Sequence, residues 1–284
     1  MRATPAHALL FALLLSTVSV LTQIAFAAGS NALTVVVVRN AVGALAVAVC
    51  LMAMRAPLSL SRRDHLVAAA IGVVLALNNL TLNMAIERVP VPVAILAFYT
   101  FPVWMAVWAW LRGHERFSLS SAFGVVLAFA GITLTLGVAP VLPDPVGVAL
   151  ALGSALLWSS VMVLSGHFLA TANIHARSLH MLVAAAVATL LMLLAFGTPR
   201  LPEGAPGLAA LAAVPIVFGL SMLGVLWVTA RLGPMRASFW MNIEPLAAIV
   251  LSALFLGQTL TLLQLVGAGL VIVSLVIFRP PAKD

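Results

Sequence analysis

The sequence predicts an all-α polytopic membrane protein, with ten membrane-spanning helices arranged as two inverted five-helix repeats. Three observations carry this prediction. The composition is too apolar for a water-soluble domain, the chain divides into ten apolar runs of spanning length, and it matches itself at one constant offset.

Of the 284 residues, 64% are hydrophobic and 7% are charged, and the mean hydropathy is +1.21. Soluble domains carry roughly a quarter charged residues, so a bilayer is the solvent this chain is built for. The net charge of +7 reads as a topology signal, because basic residues in polytopic proteins mark cytoplasmic loops. No nucleic-acid motif accompanies it. Cys50 is the one cysteine, which excludes an intrachain disulfide and a cysteine-rich metal site.

Apolar runs separated by Pro, Gly or charged residues fall at 7–28, 32–54, 65–86, 92–111, 119–138, 146–170, 175–197, 207–230, 234–256 and 261–278. Spans of about 20 residues joined by short loops account for the whole length. The first run, in "MRATPAHALLFALLLSTVSVLTQIAFAAGS", resembles a cleavable signal peptide. Its counterpart later in the chain argues that it is an uncleaved first span. Arg2, Arg55, Arg62, Arg63, Arg112 and Arg116, with the basic residues of the later inner loops and tail, lie on one side of the membrane. Arg88 and Arg200 lie on the other, beside Glu87, Asp144 and Glu203. The positive-inside rule then puts both termini in the cytoplasm of a bacterial-type inner membrane.

A shift of 143 residues aligns "RVPVPVAILAFYTFPVWMAVWAWLRGHERFSLSSAFG" with "RLGPMRASFWMNIEPLAAIVLSALFLGQTLTLLQLVG" without a gap, setting Arg88 on Arg231 and Pro102 on Pro245. The same shift sets "ALLLST" (12–17) on "ALLWSS" (155–160). Residues 1–138 and 146–278 are therefore expected to be two repeats within one membrane domain. Five spans per repeat invert the second half relative to the first. Accordingly, the charged loop with Arg112 and Arg116 has an uncharged counterpart, "GQTLT". Inverted repeats are the architecture of alternating-access carriers, with the substrate held near the midplane between the halves.

These features together resemble the drug/metabolite transporter superfamily, specifically its ten-helix EamA-type members. The residues that carry the resemblance are "FP…GHERFS" and "EP…GQTLT" at spans 4–5 and 9–10, the arginine in "VVVVRN", and "LLWSS" opening the second half. Within that superfamily the pattern looks most like the YddG-type exporters of aromatic and other amino acids. The resemblance implies a basket of helices around a central cavity and outward transport of small metabolites across the inner membrane.

Glu244 lies about 16 Å into span 9 at 1.5 Å per residue, near mid-depth, where an ionisable group is costly. The sequence supports two roles for it: a cavity-facing group that takes up protons or pairs with a substrate ammonium, or a fixed link between helices. Pro102 and Pro245 cannot donate to the carbonyls of Phe98 and Met241, so each predicts a helix kink that leaves an acceptor at mid-depth. Arg39, inside span 2, reads as structural, snorkelling or paired with an acid.

Asn79, Asn83 and Glu87 stand at i, i+4 and i+8 on span 3, a polar stripe that must meet a pocket or another helix. Trp108, Trp110 and Trp227 read as an interfacial belt. Tyr99, Trp104, Trp158 and Trp240 lie deeper and suit a cavity for apolar or aromatic side chains, or ordinary packing. Ser159 is placed at the cavity border beside Trp158. His167 and His180 read as packing residues, and Gly124, Gly131, Gly267 and Gly269 as close-packing positions of spans 5 and 10.

The pattern points away from catalysis. Ser165 and His167 are two apart on a helix and share no face, and the histidines form no HExxH motif. No catalytic residue, metal site or cofactor is expected. Sugar-phosphate carriers need several cations at the site, and only Arg39 lies within a span. Small four-helix drug exporters rely on an acid in their first helix, where this chain offers only Gln23. A nearly neutral, partly aromatic cavity with one acid fits neutral or aromatic amino acids, and also uncharged metabolites or drugs. A non-transporting structural protein has no use for the mid-membrane prolines. The expected partners are a small-molecule substrate and the lipid bilayer; the oligomeric state is not encoded legibly.

Overall fold

The computed structural model describes residues 5–111, 144–232, 244–257 and 261–277, with 123, 126, 127, 130, 131 and 134 as separate positions. The described residues form α1 (Pro5–Ala27), α2 (Ala32–Ala53), α3 (Arg62–Arg88), α4 (Val91–Phe98), α5 (Phe101–Leu111), α6 (Pro145–Phe168), α7 (Ile174–Phe196), α8 (Gly204–Leu232), α9 (Glu244–Leu256) and α10 (Leu262–Ile277). No strand occurs among them. Six of these helices, α1, α2, α3, α6, α7 and α8, include stretches long and apolar enough to cross a membrane.

Local chemistry sets the helix starts. Asn31, Ser61, Asp144 and Asn173 each turn a side-chain oxygen onto a backbone N–H of the first turn that follows. Such caps satisfy donors that a helix leaves unpaired at its N-terminus. Ser61 explains why α3 begins three residues before the apolar run: its Oγ accepts the Asp64 N–H at 3.1 Å. The charged first turn belongs to the helix although hydropathy assigns it to the loop.

The outer surface is apolar. Leu194, Leu254 and Phe196 are 74%, 73% and 90% exposed, a surface that only lipid solvates without cost. Serines and threonines within the spans turn their hydroxyls back onto their own helices, as Thr189 does on Ala185 O at 2.9 Å and Ser252 on Ala248 O at 2.6 Å. In a bilayer a polar atom must find its partner inside the protein.

Span 4 differs from a continuous kinked helix. It is broken at Tyr99–Thr100 into α4, of 8 residues, and α5, of 11. In one uninterrupted helix Pro102 would remove an interior hydrogen bond and press its ring on the preceding turn. The break puts it in the first turn of α5, where no N–H is needed. At 1.5 Å per residue α4 is about 12 Å long and α5 about 16 Å, so the break falls near the middle of a hydrocarbon core of about 30 Å.

The helices pair across the halves. α1 packs on α8 and α9, α3 on α6 and α7, α2 on α7 and α8, α4 on α6 and α9, and α5 on α6. Span 5 packs closely on span 10 at Gly131, where an added Cβ would stand 2.5 Å from Gly267 O. Gly269 has open space instead, so it is not a close-packing position. Gly124 lies outside the described residues.

Candidate functional site

The helix break carries Tyr99 to the C-cap of α4. From there its hydroxyl donates to Glu244 Oε2 at 2.7 Å. Glu244 is the first residue of α9, and the bond to Tyr99 puts its carboxyl group at the depth of the α4–α5 break. A third helix joins: Ser16 Oγ on α1 lies 2.9 Å from both Glu244 O and Ala12 O and shares its one proton between them. Tyr99 is 5% exposed and Ser16 fully buried, while Glu244 is half-buried.

An aromatic wall adjoins the pair. The Phe98 ring lies 5.9 Å from Tyr99, 5.7 Å from Phe101 and 6.4 Å from Trp158 on α6. Tyr99 and Phe101 are 5.7 Å apart. Edge-on and tilted contacts at these separations are the favourable ones for rings. Tyr99, Trp158 and Glu244 thus belong to one cluster, through Phe98. Trp240 lies outside the described residues, as do the side chains of Pro102 and Pro245. Ser159 is fully buried and donates to Leu156 O of its own helix at 2.7 Å, so it takes no part in the cluster.

Asn79 and Asn83 form a second polar group, on α3. Asn79 Nδ2 donates to Asn40 Oδ1 on α2 at 3.1 Å, and Asn83 Nδ2 donates to Asn79 O at 2.7 Å. Asn78 Nδ2 reaches Ser154 O on α6 at 2.8 Å. Glu87 Oε2 accepts the Ala32 N–H at the start of α2, at 3.3 Å. Asn40 Nδ2 and Asn83 Oδ1 remain buried without a hydrogen bond. Sequence reasoning missed two participants. Asn40 follows the conspicuous Arg39 and was overshadowed by it. Ser16 was visible as the repeat counterpart of Ser159, a signal that sufficed to find it.

Two sequence readings are corrected. Arg39 neither snorkels nor pairs with an acid among the described residues. It is 7% exposed, and its guanidinium carbon stands 4.9 Å from the centroid of the Phe218 ring on α8, a cation–π contact that partly offsets desolvation. Trp108 is no belt residue: its indole Nε1 is buried without a partner, whereas a belt tryptophan turns its N–H to the headgroups. Among the described residues no group of three or more metal-ligating side chains occurs.

The family model of the EamA-like transporters matches residues 6–137 and 145–279. The chain belongs to the EamA-like transporter family. It is a multi-pass membrane transporter, and residues 138–144 separate its two matched segments. Among curated proteins, the threonine/homoserine exporter RhtA of Escherichia coli strain K12 is 27% identical over 212 residues, covering 72% of this chain and 67% of that protein. The same protein of Escherichia coli O157:H7 matches equally. A crystal structure of a protein that is 16% identical superposes with a TM-score of 0.67, over 98% of this chain and 96% of that one. That likeness shows a shared fold.

Proposed function

We propose that this EamA-like transporter exports small zwitterionic metabolites, neutral or aromatic amino acids foremost, across the inner membrane by alternating access. The observation that carries the proposal is the Tyr99–Glu244 bond. It joins the broken span 4 to span 9 beside an aromatic wall, and an acidic side chain at that place is the natural partner of a substrate ammonium. Discontinuous helices at the midplane are where such carriers hold substrate. The RhtA relative is an exporter of threonine and homoserine by name, which supports an amino acid as cargo.

In this reading residues 1–138 and 146–278 are inverted five-helix repeats, with both termini cytoplasmic. The packing supports it. Exchanging each span for its counterpart 143 residues away converts α1–α8 into α3–α6, α1–α9 into the contact of α6 with span 4, and α2–α8 into α3–α7, all of which occur. The hydrogen bonds do not obey this exchange. Ser16 reaches across to Glu244 O, while its counterpart Ser159 bonds Leu156 rather than Phe101, the counterpart of Glu244. Unequal bonds on an equal scaffold are what a carrier held facing one side requires, and the opposite-facing state would exchange them.

The test is efflux and uptake of labelled phenylalanine, threonine and methionine in proteoliposomes, with and without a pH gradient. Saturable movement above empty liposomes is expected, with Glu244→Gln at least about tenfold slower, a loss of about 1.4 kcal/mol of transition-state stabilisation. Movement of uncharged metabolites with no movement of amino acids would overturn the cargo assignment. Full activity of Glu244→Gln at every pH would return Glu244 to a purely structural role.

A further inference from the structure

We infer that the groove between α3 and α7 is a binding site for one anionic phospholipid, in the leaflet that the 54–61 loop faces. The groove encloses about 460 Å³, and its walls include Ala70, Val73, Val187 and Leu191. Val73, Val187 and Leu191 are 43%, 51% and 59% exposed, so the groove opens to the surrounding lipid. At one end stand His65 and His180, their rings edge to face at 4.7 Å.

The groove exists because the helices meet closely beneath it. An added Cβ on Gly72 would lie 2.5 Å from Met181 O and 2.6 Å from the Ala184 Cβ. From His180 to Leu191 it runs about 16 Å along α7, about one leaflet of a 30 Å hydrocarbon core. That is the space of an acyl chain lying against the protein.

The mouth selects the headgroup. Arg62 precedes His65 by three residues and Arg177 precedes His180 by three, so each basic residue shares a helix face with an imidazole. Arg177 donates to Leu169 O at 2.7 Å, which fixes its guanidinium at this end of α7. His180 Nδ1 is engaged with Ala176 O at 2.8 Å, leaving Nε2 for an outside partner. Asp64 is the acid nearest in sequence, in the first turn of α3; the first turn of α7 has none. Basic pockets between spans at the headgroup level take anionic lipid phosphates.

A second copy of this chain fits the mouth less well. A two-fold axis along the membrane normal would bring the same cationic groups together at the same depth.

The full-length protein is presented with equal amounts of dioleoyl phosphatidylglycerol and dioleoyl phosphatidylcholine, and the retained lipids are counted by native mass spectrometry. Phosphatidylglycerol is expected to be retained roughly fivefold over phosphatidylcholine for each cation engaged. Arg62→Gln with Arg177→Gln removes that preference and leaves total lipid unchanged, whereas Ala70→Trp, at an exposed position, lowers retention of both lipids. Equal retention by the unmodified protein overturns the inference, as does a preference that survives both variants. A dimer that excludes lipid overturns it in favour of a second copy.

Discussion

At the scale of single residues, Glu244 depends on its neighbours. A carboxylate at mid-depth keeps its place because Tyr99 donates to it at 2.7 Å and Ser16 holds the adjoining carbonyl at 2.9 Å. Tyr99→Phe preserves the ring and removes only the donor, which leaves the Glu244 carboxyl short of one bond within the membrane and costs about 1–3 kcal/mol. Thermal unfolding in detergent should show that loss. Glu244→Gln in the same background should recover part of it, since directly bonded residues couple by about 0.5–3 kcal/mol. Strictly additive losses would show that the 2.7 Å contact contributes nothing to stability. Proline at 102 was legible as an interruption, and glutamate at 244 as an anomaly. Their meeting through Tyr99 was not, because 145 residues separate the bonded pair and no local pattern encodes so distant a partner.

At the scale of elements, glycine decides how closely α3 and α7 approach. Gly72→Ala would drive a methyl group into the Met181 carbonyl and the Ala184 methyl group. Overpacking of this kind costs about 1–3 kcal/mol and outweighs the better helix propensity of alanine. Gly153, within α6, has nothing within 4 Å of an added Cβ, so Gly153→Ala should raise stability by about 0.5–1 kcal/mol. Opposite shifts of the melting temperature for the two variants are expected. Like shifts would contradict the packing described for α3 and α7. Periodicity and hydropathy marked both glycines identically as helix-interior residues; only the helix crossing separates them.

At the scale of the whole molecule, the halves are also tied outside the hydrocarbon. Arg88 at the end of α3 pairs with Asp144, the cap of α6, at 3.1 Å. The Val146 N–H first, and the Arg88 guanidinium second, hold the Asp144 carboxyl below the ordinary aspartate value of 3.8. A depressed folded-state value contributes stability that is fully present above the unfolded value and is lost as pH falls through the folded one. The melting temperature should therefore lose this contribution only below about pH 4. Asp144→Asn, which still caps the helix, should lack that part of the acid decline. A wild-type profile identical to that of the variant would mean that the tie is too solvated to matter.

The sequence by itself determined the solvent and the helical class, and it carries the 143-residue offset at which the chain matches itself. Each of these follows from composition and from periodicities of a few residues, or from comparing the chain with itself. Tertiary structure alone decided that span 4 breaks at Tyr99, that Glu244 receives the tyrosine hydroxyl, that Arg39 lies over Phe218 and that two histidines from different helices face one groove. Those are contacts between residues far apart in the chain. Hydrophobicity, which places every span in the bilayer, says nothing of which faces meet once they are there; in lipid that choice falls to close packing and to the need of each buried polar atom for a partner.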